Sequence, residues 1–377
     1  MKKYKFVATC LFGLEKLLGE EIDSLGYTRI KTIDGRITFE GDLSCVARCN
    51  INLRFAERLY ILIGSFKAES FDELFEGTRA IDFSEYIGKK DAFPVTGHAI
   101  KSKLFSIPDC QSIIKKAIVT SLSAKYGIEY FEETENRIRI EFFIFQDVAN
   151  IMLDTSVTPL FKRGYRTQSN DAPLRETLAA AIVKLSRPRE NVITWDPFCG
   201  SGTLAIEAAL MMTNTAPGIN RSFGAESFPF IDRKIWEDAR NEARDNIKET
   251  EFMAYASDID TKCITLTEAN AKRAGMEKHI KIFHADATKI QKEDFRCTIV
   301  CNPPYGERLS DKKSCEELYR NMGKCFKNLS PWQIYLLTSH EDFQRLYGKR
   351  ADKIRKLYNG MIKCNFYQYF KTGDKKK

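Results

Sequence analysis

The chain has 377 residues, 43% hydrophobic and 29% charged, with 26 Phe and 15 Tyr. That composition excludes a disordered, collagen-like or disulfide-stapled chain, and at ~150 residues per domain it suggests two or three domains. The net charge of +8 arises in the second half: residues 1–164 carry 23 basic and 23 acidic side chains, and residues 165–377 carry 36 and 28. The run Arg345, Lys349, Arg350, Lys353, Arg355, Lys356 and the tail Lys375–Lys377 hold part of the surplus. These read equally as a phosphate-attracting face or as a solvated helix face with a frayed tail, so charge permits a nucleic-acid partner without requiring one.

No apolar run approaches the ~18–20 residues of a membrane helix. Met1–Lys5 followed by Phe6–Leu14 imitates a short signal peptide, but Glu15, Glu20 and Glu21 follow and no small-residue cleavage site appears. The 11 cysteines are odd in number and scattered without a CxxC pair, which fits reduced thiols in a cytoplasm. Cys45 and Cys49 read as buried thiols on one helix face, and no metal is expected.

Periodicity divides the front half into short alternating elements. Strands are expected at Lys5–Cys10, at Ile37–Glu40 after the Asp34-Gly35 turn, and at Glu57–Phe66, Ala92–Ile100 and Arg137–Phe145. Helices are expected at Gly13–Leu25, Leu43–Ile51, Phe71–Ile81 and, after a break at Pro108, Cys110–Lys125. Nothing in these residues resembles a catalytic constellation, so they read as a binding or scaffolding module. A linker with Pro159, Gly164 and Pro173 leads into an α/β pattern with a mainly parallel sheet. Its helices are 174–185, 203–212, 261–274 and 315–329. Its strands are 191–195, 252–257, 280–284, 297–301 and 332–337, and residues 213–250 form an insertion with extra helices.

The chemistry begins at Asp196-Pro-Phe-Cys-Gly200-Ser-Gly202-Thr203, a strand end, glycine turn and helix start. The turn departs from GxGxxG and lacks the lysine of a phosphate-binding loop. A carboxylate here suits a ligand ammonium group, and Gly200 and Gly202 make room for the ligand. Asp258 and Asp260 follow the next strand and Asp286 the one after, so all fall at the carboxyl edge of a parallel sheet, where ligands bind. Taken singly, each reads as a helix cap or turn residue. Together they suit a ribose diol and an adenine amine. Asn302-Pro303-Pro304-Tyr305 ends the strand Cys297–Cys301. The prolines fix an extended, rigid turn. The Asn302 side-chain oxygen and the Pro303 carbonyl can accept the two N–H bonds of a nucleobase amine and favour its pyramidal, nucleophilic form, while Tyr305 stacks on the ring.

With these motifs the sequence resembles class I S-adenosylmethionine-dependent amino-methyltransferases, in particular the bacterial large-subunit rRNA guanine-N2 methyltransferases. Phe161-Lys-Arg-Gly-Tyr-Arg166, Ala172-Pro-Leu-Arg-Glu-Thr-Leu178, Gly306-Glu-Arg-Leu309 and the hairpin from Lys356 to Tyr369 are similar to family segments. Ser102–Ser112 looks like part of a THUMP domain, an RNA-binding module. The resemblance covers the whole chain. It implies a ferredoxin-like domain (1–64), a THUMP domain (65–160) and a Rossmann-like α/β methyltransferase domain (161–377). It implies cofactor contacts from Leu174, Arg175, Thr177, Asp196, Phe198, Gly200, Gly202, Thr203, Asp258, Ile259, Asp286, Ala287 and Asn302, and catalysis by Asn302, Pro303, Pro304 and Tyr305.

The expected substrate is structured RNA, 23S rRNA or an assembly intermediate, with no membrane and no obligate protein partner. Alternatives with the same motif are guanine-N2 in tRNA, adenine-N6 in DNA and a release-factor glutamine; an inactive RNA-binding protein is a fourth. Only 72 residues follow Tyr305 and the sheet's last strands are expected to use much of them, so neither a DNA target-recognition domain nor the second methyltransferase domain that some relatives carry is expected in them. The α+β front disfavours the glutamine enzyme, and the intact Asn302–Tyr305 and Asp196 disfavour an inactive one.

Overall fold

The computed structural model describes residues 2–166, 174–306 and 309–371, with side chains in the last stretch from Lys312 onward. Ala172, Pro173, Glu307, Arg308 and the tail Lys375–Lys377, singled out from the sequence, lie outside the described residues. The chain forms two units. One comprises residues 1–10, 18–160 and 221–242; the other comprises 11–17, 161–220 and 243–377.

The first unit is built on one sheet. Its strands are β1 (Tyr4–Thr9), β2 (Thr28–Ile33), β3 (Arg36–Gly41), β4 (Arg58–Lys67), β5 (Val95–Ile100), β6 (Ile140–Phe145) and β7 (Val148–Asp154), in the order β2-β3-β1-β4-β7-β6-β5. All pairings are antiparallel except β5 with β6. The ten-residue β4 carries the sheet from the first half of this unit into the second. Helices α1 (Glu15–Ser24), α2 (Ser44–Asn52), α3 (Phe71–Arg79) and α4 (Ile107–Tyr126) complete residues 1–160. Pro108 sits in the first turn of α4, where its missing N–H has no intrahelical partner to lose, so it starts the helix instead of preceding it.

Residues 221–242 return to this unit. Arg221 donates to the carbonyls of Thr158, Pro159 and Leu160 at 2.9–3.2 Å. The Ala225 amide donates to the Thr155 carbonyl, Phe230 meets Tyr86 edge to face at 5.3 Å, and Glu242 takes a bidentate pair from Arg48 at 2.7 Å.

In the second unit β8 (Ile193–Asp196), β9 (Ala254–Asp258), β10 (Ile280–His284), β11 (Cys297–Cys301) and β12 (Gln333–Thr338) are parallel, while β14 (Ile362–Tyr369) runs antiparallel and pairs with β13 (Lys353–Asn359). The order is β10-β9-β8-β11-β12-β14-β13. The order reverses between β8 and β11, the switch point at which a ligand crevice opens in such sheets. The flanking helices are α5 (Glu176–Ser186), α6 (Thr203–Met212), α8 (Thr261–Ala274), α9 (Leu309–Lys327) and α10 (Phe343–Tyr347); α7 (Arg233–Asp245) lies in the insertion. Trp195, Ile299, Tyr319, Phe343 and Tyr367 are buried in one apolar cluster. Among the described residues no helix is long and apolar enough to cross a membrane, and no three His, Cys, Asp or Glu side chains form a candidate metal cluster.

Candidate active site

β8 ends at Asp196, only 3% exposed. Its Oδ1 accepts the Phe198 amide at 3.1 Å. Burial, reinforced by the charge of Asp258 and opposed by that amide, pushes its pKa up to about 8. The chain then turns through Gly200 and Gly202, both with positive φ (54° and 80°). The turn is tied to its surroundings: the Gly200 amide donates to Asp258 Oδ2 at 3.0 Å, Thr267 Oγ1 donates to the Gly200 carbonyl, and Asn270 Nδ2 to the Ser201 carbonyl.

A Cβ on Gly202 would stand 2.7 Å from Thr267 Cγ2 on α8. Gly202→Ala is therefore expected to lower the unfolding free energy by about 2–4 kcal/mol, from left-handed backbone strain and crowding against α8. Chemical denaturation reads this loss; an unchanged midpoint would mean that α8 yields freely.

Asp258 ends β9; its Oδ1 accepts the Asp260 amide at 3.0 Å, and Asp260 caps α8 through the Lys262 amide. Asp286, after β10, caps a short 3₁₀ turn by accepting the Thr288 amide and hydroxyl, which hold its carboxyl below the usual range, with Lys289 adding a further ion pair. Capping and ligand lining thus coincide, since a cap at a strand end points its carboxylate along the sheet's ligand edge.

β11 delivers Asn302-Pro303-Pro304-Tyr305 beside β8. Tyr305 Oη donates to Asn302 Oδ1 at 2.5 Å and lies 3.7 Å from Cys364 Sγ on β14. The Pro304 carbonyl accepts from Tyr319 Oη (2.6 Å) and Cys315 Sγ (3.0 Å), both on α9. Tyr319 also bonds Thr338 on β12, so the turn is fastened to the core behind it.

These residues open on one cavity of about 720 Å³. Of the residues expected from the sequence, Leu174, Asp196, Phe198, Gly200, Thr203, Asp258, Ile259, Asp286, Ala287 and Asn302–Tyr305 line it. Three expected cofactor contacts do not. Gly202 is turned toward α8, Thr177 is fully buried within α5, and the Arg175 guanidinium lies 4.9 Å over the Phe161 ring. Leu174 is held by Arg166, which donates to its carbonyl, to Thr203 Oγ1 and to Glu176. Burial outweighs this guanidinium and pushes Glu176 up to about 7.

Sequence reasoning missed Leu318, Asn359 and Ile362 in the wall, and Tyr319 and Cys315 behind the turn. The i, i+4 spacing of Cys315 and Tyr319 reads as core. Asn359 and Ile362 fall inside the hairpin segment singled out by resemblance, but nothing local marks them as wall residues, because only the pairing of the distant hairpin brings them to the cavity.

A β8 carboxylate before a glycine turn, acidic residues ending β9 and β10, an Asn-Pro-Pro-Tyr turn after β11 and a reversed β14 together define a class I methyltransferase. The RMKL-like methyltransferase-domain profile matches residues 163–368, the RlmL ferredoxin-like domain matches 5–60 and the THUMP domain matches 68–154. The chain belongs to this family of methyltransferases. It is 43% identical over 98% of its length to the putative RNA methyltransferase YpsC of Bacillus subtilis, covering 97% of that protein. It is 34% identical over 97% of its length to the ribosomal RNA large subunit methyltransferase K/L of Aliivibrio salmonicida, of which it spans 53%. The solved structure of SMU.472, a putative methyltransferase complexed with SAH, superposes with a TM-score of 0.92 at 37% identity and full coverage of both chains.

Proposed function

We propose that the protein transfers the methyl group of S-adenosylmethionine to the exocyclic N2 of a guanosine in 23S rRNA, in the cytoplasm. The reading also assigns residues 1–64 and 65–160 as ferredoxin-like and THUMP modules that grip structured RNA, and residues 161–377 as the catalytic domain. The observation that carries it is the convergence of Asp196 and Asn302–Tyr305 on one cavity from adjacent parallel strands. The RNA and rRNA activities named for the two relatives, and the THUMP match, support the substrate class.

The residues fit the cofactor chemically. Ionisation of the buried Asp196 carboxyl is opposed by burial and by the charge of Asp258, and a ligand ammonium group supplies the cationic partner that offsets both. Asp258 uses one lone pair on each oxygen for a backbone amide and keeps others for a diol. Bound S-adenosylmethionine supplies an electrophilic methyl group on a sulfonium. Asn302 Oδ1 and the Pro303 carbonyl accept the guanine N2 hydrogens, which localises the nitrogen lone pair for attack. One N2 proton leaves to water after the N–C bond forms. The Tyr305 hydroxyl occupies Asn302 Oδ1 at rest, so an entering base displaces it and meets the ring.

Tyr305→Phe is accordingly expected to keep a rate close to that of the unaltered protein, and Tyr305→Ala to lose most of it; steady-state transfer assays separate stacking from the hydroxyl. The function itself is tested by transferring radiolabelled methyl from S-adenosylmethionine to total RNA of a strain lacking the gene, followed by nucleoside analysis. The expected product is N2-methylguanosine in large-subunit rRNA. Label in tRNA would change the substrate, and label confined to DNA or protein would overturn the reading.

A further inference from the structure

We propose that the β13–β14 hairpin is an RNA wedge whose tip, Met361, enters the base stack vacated by the target guanosine. The proposal rests on the RNA reading above. β13 and β14 pair without interruption from Lys353 with Gln368 to Asn359 with Ile362. That last pair lines the cavity containing Asn302–Tyr305. Between its members lies only Gly360-Met361, with Gly360 at φ 64°, the sign a type II′ turn needs at its first central residue.

The Met361 side chain is 98% exposed. A tight turn has no use for methionine there, and a protein gains nothing in water by displaying it. The hairpin is also fixed relative to the catalytic turn, through Cys364 Sγ beside Tyr305 Oη. Its shaft is basic: Lys353, Lys356 and Lys363 are exposed, and Lys349 and Arg350 precede it. Near the tip, Tyr358 meets the 56%-exposed Phe12 edge to face at 6.2 Å. An apolar point on a basic shaft, next to the two hairpin residues that line the active-site cavity, has the chemistry of a nucleic-acid wedge. Seating a guanine against Asn302 requires unstacking it, and an inserted apolar side chain offsets the exposure of the neighbouring bases.

The test uses the full-length protein with Met361→Ser and Met361→Phe, on folded large-subunit rRNA carrying 2-aminopurine beside the methylated guanosine. Binding of the unaltered protein should raise the fluorescence as the neighbour unstacks. Met361→Ser should abolish that rise and lower kcat/KM about tenfold, corresponding to ~1.4 kcal/mol of transition-state stabilisation, with cofactor affinity unchanged; Met361→Phe should retain both signals. Equal transfer or equal fluorescence with Met361→Ser, or no rise with the unaltered protein, overturns the wedge while leaving the methyltransferase reading intact. No transfer to any RNA by the unaltered protein overturns the reading on which the wedge depends.

Discussion

Asn302→Ala is expected to slow methyl transfer by roughly 10²–10³-fold, the usual effect of deleting one preorganised polar contact to a developing charge. Cofactor affinity should stay nearly unchanged. The separation follows from geometry: the Asn302 side-chain oxygen accepts from Tyr305, whereas the buried acid Asp196 and the glycine turn belong to β8 and the segment after it. The fastening of the turn also survives, because the Pro304 carbonyl is gripped by Tyr319 and Cys315 independently of Asn302. Single-turnover transfer with saturating cofactor, alongside calorimetric titration, checks both halves. Transfer at an undiminished rate would refute the proposed role of the amine acceptor.

Asp196→Asn should weaken cofactor binding by about 10²-fold, since truncating one member of a buried charge pair costs roughly 2–5 kcal/mol. The accompanying pH profile is more diagnostic. Burial holds the Asp196 carboxyl up at about 8, and only its ionised form pairs with an ammonium group. Affinity should therefore rise with pH up to about 8, then fall as the cofactor's own α-amino group, ordinarily near ~7.7–8.0, loses its proton. Asp196→Asn removes the rising limb.

Stability moves oppositely. Because the folded-state pKa is raised, the Asp196 contribution is full below the ordinary carboxylate range and is lost as pH rises through about 8. Without cofactor, Asp196→Asn should therefore resist unfolding better than the unaltered protein at pH 8–9. Calorimetry from pH 6 to 9 with and without cofactor tests both signs.

The methyltransferase half was the more legible because its elements carry explicit stops. α8 matches its expected span, with Asp260 as its cap and Gly275 in the left-handed conformation after its end. α6, β10 and β11 likewise have the bounds expected from their glycine turn or apolar run. The front half hid two strands. β2 is almost wholly exposed and shifts register between Arg29 and Lys31, so it offers no alternation to read. β7 follows β6 through Gln146-Asp147, both at positive φ without a glycine to advertise the turn. α9 begins at Leu309, six residues before the expected Cys315, and most of that first stretch is polar.

At the site, residues whose role depends on strand position were legible and those delivered by tertiary path were not. Asp196 and Asn302 stand at strand ends next to glycine and proline signals. Asn359 and Ile362 reach the same cavity only because β13 and β14 pair as they do. Gly202 shows the converse: a glycine in a ligand-binding motif is required by the helix behind it.

The return of residues 221–242 to the front unit bears on how the molecule is made. Arg221, Phe230 and Glu242 engage Thr158, Tyr86 and Arg48, partners translated 63, 144 and 194 positions earlier. A nascent chain ending at residue 160 has all seven strands of the first sheet but lacks the segment that closes against them. The front unit therefore cannot finish during synthesis before β8 and α6 have emerged, and its last contacts await part of the domain translated after it.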